Sequence, residues 1–337
     1  MKDIDFITDY VGIPTFYNAP QIGLEDVREG MAVVAGAPID MGILFPRPGA
    51  RYGPRSIREA SLMYRGLQDV ASEKTAVNVD SHIARRMKPK LNLGDLGDFN
   101  IHPLDIMKTT DSVMEGISDI VKRGAVPILL GGDHYLAYPG FEGFARGLME
   151  RGERPKLGYV HIDSHTDFRN SYGELGQYNH GTCARRISEN SVVSYKNMSW
   201  VGLNGSVMDA DIYRMYKTQK LKMSTAKDVK TQGMEHVLRQ AMEAAADGTD
   251  AVYVSVDIDV VDASHAPGTG APVFEGIGAT DLLDAMAILT EYDCIKALDL
   301  CEVAPPLDPG GRTPYLAANA LIGYLGEYLF DEVDLDG

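Results

Sequence analysis

A three-layer αβα sandwich with a mostly parallel sheet is the fold class predicted by this 337-residue sequence. Short apolar, β-branched runs recur along the chain, and between them lie stretches whose apolar residues repeat with helical spacing. Strand runs joined by helices rather than by tight hairpins need crossover connections, which build a parallel sheet covered on both faces. Residues able to do chemistry also follow the apolar runs directly, and in open parallel sheets ligands gather beyond the carboxyl ends of the strands.

In chain order, the runs 31–36, 126–130, 157–162, 199–203, 251–256 and 295–300 read as strands. Residues 110–123 read as a helix because Val113, Ile117, Ile120 and Val121 share a face and Gly124 supplies the stop. Residues 232–246 behave likewise, with Val237, Leu238, Ala241 and Ala245 in register. Residues 1–28, with Pro14, Pro20 and scattered aromatics, read as an N-terminal arm over the domain surface or a neighbouring subunit. Residues 29–330 then form a single domain and 331–337 a loose acidic tail.

Forty-eight acidic against thirty-two basic residues give a net charge of −16, which argues against nucleic acid and anionic membranes as partners. No apolar run approaches the roughly 20 residues that cross a bilayer. The start Met1-Lys-Asp-Ile-Asp lacks a secretory pattern, so a cytoplasmic location is expected. Cys183, Cys294 and Cys301 show no paired spacing, which excludes a disulfide framework; Cys183 reads as a small packing residue.

The chemistry concentrates in three segments. In His161-Ile-Asp163-Ser164-His165-Thr-Asp167, the residues Asp163, His165 and Asp167 alternate, and an extended backbone would aim all three the same way. A second alternation, Asp257-Ile-Asp259, follows the run 251–256, and His134 follows 126–130 through Gly131-Gly132-Asp133. Single strand-end Asp residues usually cap turns, but capping explains neither the paired alternation nor the two imidazoles. Carboxylates gathered without a cation would repel one another, so a positive centre is the physical reason to collect them. Oxygen-rich donors with two imidazoles and no thiolate suit two divalent ions, Mn²⁺ first and Ni²⁺ as the alternative. A water held between two such ions becomes a nucleophile at neutral pH.

These segments resemble the ureohydrolase signatures, the family containing arginase, agmatinase and guanidinobutyrase. Gly131-Gly132-Asp133-His134, the Asp163 to Asp167 segment and Ser255-Val-Asp257-Ile-Asp259-Val-Val-Asp262 with Pro267-Gly-Thr-Gly270 carry the resemblance. Upstream, Gly36-Ala-Pro38-Ile-Asp40 and the stretch from Arg47 through Arg51, Arg55 and Arg58 to Ser61 are similar to the agmatinase branch. Coverage runs from about residue 12 to about residue 330.

The resemblance implies an arginase-like fold and a metal-dependent hydrolase of linear amidines. His134, Asp163, Asp167 and Asp257 would ligate one ion, and Asp163, His165, Asp257 and Asp259 the other, with Asp163 and Asp257 bridging. A bridging hydroxide would attack the guanidinium carbon of a small guanidino compound, and collapse would release urea and an amine. Asp167 would move the proton to the leaving nitrogen, Glu302 in Asp299-Leu-Cys-Glu302 would hold the guanidinium, and His180 resembles the family's proton-relay histidine. Homo-oligomers, trimers or hexamers, are implied as well, or hetero-oligomers with a paralogue.

Departures from the family pattern bear on the substrate. Arg169, in Phe168-Arg169-Asn170, places a cation after the metal run that would disfavour the ammonium of agmatine, unless it pairs with a neighbouring carboxylate. Ala263-Ser264 would loosen the turn after the metal strand, and Ser164 adds a hydroxyl that should leave the ligands undisturbed. The loop Tyr172-Gly-Glu-Leu-Gly-Gln-Tyr178 is expected to wall the pocket. The substrate is therefore read as guanidinobutyrate-like, guanidine itself or a biguanide such as metformin rather than arginine. Agmatinase proper, a one-metal amide hydrolase such as a deacetylase, and a catalytically silent partner subunit are the alternatives. His161 reads as core, His265 as a loop residue, and His82, His102 and His236 as surface.

Overall fold

The computed structural model describes residues 12–44, 46–69, 74–77, 83–205, 208–219 and 221–334. Its strands are β1 (Ala32–Ala37), β2 (Thr75–Val77), β3 (Ala84–Met87), β4 (Leu93–Asp98), β5 (Val126–Gly131), β6 (Leu157–Ile162), β7 (Val193–Leu203), β8 (Lys222–Thr225), β9 (Ala251–Asp257), β10 (Ile295–Cys301) and β11 (Phe330–Val333). The helices are α1 (Gly53–Asp69), α2 (Ile106–Lys122), α3 (Ala137–Glu150), α4 (Cys183–Ile187), α5 (Ala210–Gln219), α6 (Ala226–Gln232), α7 (Met234–Ala246), α8 (Ala279–Leu289), α9 (Arg312–Tyr324) and α10 (Gly326–Leu329).

Eight strands form one sheet in the order β4-β1-β5-β10-β9-β6-β7-β8. Every pairing within it is parallel. Strand residues alternate between two apolar layers, as the strand period requires. Ala32 and Val34 pack with Ile57 of α1, Val237 of α7, Leu282 of α8 and Leu321 of α9. Val33 and Ala35 pack on the opposite face with Ile117 of α2 and Phe141 and Phe144 of α3. The expected three-layer sandwich is thus the observed one. No helix among the described residues is long and apolar enough to cross a membrane.

Several boundaries differ from expectation for local reasons. Helix α2 starts at Ile106 because Asp105 caps it, accepting from the Lys108 N–H at 3.0 Å. The helix expected over 232–246 is α7, which starts two residues later because Gly233 at φ +86 closes α6 before it. Strands β4 and β8 were not anticipated. Leu-Gly-Asp-Leu-Gly-Asp carries little β propensity, and both strands sit at sheet edges where apolar demand is low.

The acidic tail is not loose where it is described, because β11 pairs antiparallel with β3, which pairs with β2 in a separate three-stranded sheet. Residues 12–28 lie over the domain and are anchored to it. Phe16 and Tyr17 are fully buried, and Gln21 bridges Asp95 of β4. Residues 1–11 and 335–337, and His82, lie outside the described residues.

Candidate metal centre and active site

The four central strands β5, β10, β9 and β6 are neighbours, so the segments leaving their carboxyl ends meet over the middle of the sheet. Close packing at that edge explains the paired glycines after β5. A Cβ on Gly132 would come within 2.3 Å of the Ile39 carbonyl oxygen.

The extended alternation expected for Asp163, His165 and Asp167 is not what brings them together. Strand β6 stops at Ile162, the chain leaves as an irregular turn, and Asp167 sits at φ +45. Asp163 Oδ1 accepts from the His165 N–H at 2.5 Å, and Asp257 Oδ1 accepts from the Asp259 N–H at 2.8 Å. Both aspartates therefore do cap turns, as strand-end aspartates usually do, but with one oxygen each. The other oxygen of each points at His134.

His134 stands on a single turn after β5, with its backbone N–H donating to Glu302 Oε1 at 2.8 Å. Its Nε2 lies 2.9 Å from Ser255 Oγ, which donates to Asp299 Oδ1 at 2.8 Å. Because that hydroxyl's proton goes to Asp299, it accepts from Nε2, and Nδ1 is left with a lone pair. That lone pair faces Asp163 Oδ2 at 3.0 Å and the Oδ2 atoms of Asp167 and Asp257 at 3.1 Å each. Neither His134 Nδ1 nor Asp163 Oδ2 makes a hydrogen bond, although both are buried. Burial, with Asp259 and Asp163 nearby, drives the Asp257 carboxyl well above the usual range, and burial raises Asp259 to about 6. A cation among these atoms removes the conflict, so the residues fit a metal ion.

A second group adjoins the first. His165 Nδ1 lies 3.1 Å from Asp259 Oδ2 and 3.5 Å from Asp163 Oδ1, and its ring is half-exposed. The Asp259 carboxylate beside it outweighs burial and raises the imidazole's affinity for a proton. Ser164 is no bystander, since its Oγ donates to Asp259 Oδ1 at 2.7 Å. Asp163 belongs to both groups, so the six residues expected as ligands form one continuous cluster with donors for two ions.

Glu302 and His180 border that cluster. Glu302, at φ +62, follows β10 with its N–H bonded to the Gly132 carbonyl. His180 Nε2 accepts from the Leu44 N–H at 3.2 Å, which leaves Nδ1 as donor toward Glu302 Oε1 at 3.4 Å. Burial opposes charge on His180, but Glu302 more than offsets it and raises the imidazole to about 8.

Arg169 reaches the same cavity, a space of about 390 Å³ lined also by Asp167, Tyr172, His180, Asp257, Asp259 and Glu302. Its Nε is 3.5 Å from Asp209, and its guanidinium lies 4.9 Å above the Tyr172 ring. Arg169 therefore both lines the cavity and pairs with a neighbouring carboxylate. Only the Tyr172 end of the expected loop walls the cavity, because Tyr178 packs on Tyr138 and Tyr135 instead.

The turn at Ala263-Ser264 is not loosened, since Asp262 accepts from the Ser264 N–H at 2.9 Å and the Glu275 N–H at 2.6 Å. Cys183 is a buried packing residue beside Asp167, and His102, His236 and His265 are exposed. Sequence reasoning missed the relay through Ser255 and Asp299. The available signal was a polar residue between apolar neighbours in each of two strands, Ser255 in β9 and Asp299 in β10.

Eight parallel strands carrying a carboxylate-rich, two-imidazole centre at their carboxyl ends define a metal-dependent hydrolase of the α/β class. The chain belongs to the arginase family, whose model matches residues 31–326. Family membership makes it an amidinohydrolase, cleaving carbon–nitrogen bonds of linear amidines, and the family is one of binuclear metal centres. The chain is 31% identical to the mitochondrial guanidino acid hydrolase of Homo sapiens, over 95% of this chain and 84% of that one. It is 30% identical to guanidinopropionase of Pseudomonas aeruginosa, over 95% and 92%. The structure of proclavaminate amidinohydrolase from Streptomyces clavuligerus superimposes with a TM-score of 0.78 at 29% identity, covering 95% of this chain and 98% of that one.

Proposed function

We propose that this chain hydrolyses a small guanidino compound with a short tail bearing no positive charge, releasing urea and an amine. The observation that carries the reading is the lone pair of His134 Nδ1 facing three carboxylate oxygens within 3.1 Å. His134, Asp163, Asp167 and Asp257 would hold one divalent ion, and Asp163, His165, Asp257 and Asp259 the other. When bound, the ions would lower the pKa of a water between them enough for it to attack a carbon whose charge is delocalised.

The remaining work falls to the chain's own groups. Glu302, at the cavity wall, accepts hydrogen bonds from guanidinium N–H groups and sets the carbon's orientation. Asp167, beside His134 and open to the cavity, accepts a proton and returns it to the departing nitrogen, which leaves poorly as an amide anion. His180, raised to about 8 against Glu302, takes up a proton at Nε2 in place of the Leu44 hydrogen bond and so exchanges protons between the site and solvent.

Arg169 on the wall supports a tail other than the ammonium of agmatine. Relatives named for guanidino acids, guanidinopropionase and guanidinobutyrase among them, support a short guanidino substrate over arginine. Guanidine and a biguanide such as metformin fit the same description. A silent partner subunit is disfavoured because all six ligand-type side chains are in place. The test is a urea-release screen over guanidine, 4-guanidinobutyrate, agmatine, arginine and metformin with Mn²⁺ and Ni²⁺ in parallel. Agmatine as the preferred compound would overturn the substrate reading, and no urea from any, with no guanylurea from metformin, would overturn the activity.

A further inference from the structure

Beyond the metal cluster, the cavity changes character. Its far wall is made by Leu203 at the end of β7, Met208, then Ile212, Tyr213 and Tyr216 on α5, and Met223 on β8. Ile212, Tyr213 and Tyr216 share a helix face and form an apolar and aromatic stripe along the cavity, with Ile212 reaching into the core behind it and Lys217 Nζ 5.5 and 5.2 Å over the Tyr213 and Tyr216 rings. Among the described lining residues Arg169 is the one Lys or Arg side chain, and its charge is shared with Asp209 at 3.5 Å. A carboxylate tail would meet Asp209 as well as Arg169, and an ammonium tail would meet Arg169 as well as Asp209. Either would also be stripped of water against the apolar stripe, which is unfavourable for a charge without a dedicated partner.

We infer that this wall receives an uncharged alkyl group, and that the substrate class is N-alkylguanidines; the inference rests on the amidinohydrolase reading above. In the reaction the water oxygen bonds to the guanidinium carbon, and the bond from that carbon to the alkyl-bearing nitrogen breaks. The nitrogen takes both of the water's protons and leaves as an alkylammonium ion, and urea remains. The alkyl chain contributes through burial, about fourfold in kcat/KM for each methylene that reaches the wall. Discrimination is thus placed in α5 and the flanking strand ends, away from the groups that do the chemistry.

The experiment measures kcat/KM of the enzyme, loaded with Mn²⁺ and with Ni²⁺ in parallel, for guanidine, methylguanidine, propylguanidine, butylguanidine, 4-guanidinobutyrate and agmatine. The expected result is a rise along the alkyl series, with the acid and agmatine at least about tenfold below butylguanidine. Met208→Asp, a change at a partly exposed position that the fold tolerates, should lower the butylguanidine-to-guanidine ratio about tenfold, mainly through KM. A flat alkyl series, a preference for the acid or agmatine, or an unchanged ratio in Met208→Asp would overturn the inference while leaving the hydrolase reading intact. Absence of urea from all six compounds would overturn the hydrolase reading itself, and this inference with it.

Discussion

His161 Nε2 lies 2.8 Å from Asp163 Oδ2, while the His161 ring stacks on His134 at 4.7 Å with the planes 4° apart. The approach is off the line of a straight hydrogen bond, so it acts by position rather than by occupying the oxygen. Tyr159 Oη, 2.8 Å from His161 Nδ1, holds the ring from behind. A residue expected to serve only as core therefore steadies the carboxylate shared by both halves of the centre.

Replacing it with an apolar ring tests that role. His161→Phe should keep the fold, since the site is packed among Tyr159, Trp200 and His134. Metal affinity should fall roughly 10–100-fold, the usual effect of losing a residue that orients a ligand. Calorimetric titration of the stripped protein reads this directly, and an unchanged affinity would return His161 to a packing role.

Asp163→Asn is expected to abolish urea release and to reduce bound metal from two ions toward one or none, with circular dichroism unchanged. The amide keeps the turn, because its oxygen still accepts from the His165 N–H, but it removes the charge on which both groups depend. Metal analysis with activity assay checks the pair. Urea release at the wild-type rate would sink the ligand assignment.

That these side chains gather was readable from spacing because carboxylates cluster only against repulsion, and that cost makes the pattern conspicuous. Ligand geometry was not. Asp163 and Asp257 divide their oxygens between a turn and the centre, and no periodicity encodes that division. The interior strands β5, β6, β9 and β10 were legible as continuous apolar runs because both faces are buried. The edge strands β4 and β8 carry polar residues and Gly, so pairing alone marks them. The apolar stripe of α5 could not be assigned to the cavity, since a helical repeat looks the same whether it faces core or ligand.

The His180 pair with Glu302 gives stability a pH dependence of known sign. The folded imidazole is raised from 6.5 to about 8, so its stabilising contribution is fully present below pH 6.5 and is lost as pH rises through about 8. Denaturant unfolding of the wild type and of His180→Asn should show a stability difference that shrinks between these limits. A difference that grows with pH would contradict the Glu302 pairing.

Arg58 supplies a stability test at the sheet edge. It is buried, with Nε and Nη2 on the two oxygens of Asp95 at 2.8 and 2.9 Å and Nη1 on Asp98 at 2.6 Å. Asp95 also accepts from the Phe16 N–H at 2.8 Å, so one buried carboxylate ties the chain before β1 to β4. Arg58→Met should therefore cost about 3–5 kcal/mol, because it leaves the Asp95 charge in the interior without its partner. Arg58→Met with Asp95→Leu should recover part of that loss by removing the stranded charge, although the Phe16 N–H then lacks its acceptor. Denaturant unfolding of the two variants separates the cases. A single-variant cost under about 1 kcal/mol would mean that water reaches Asp95 and that the anchor is weaker than its geometry indicates.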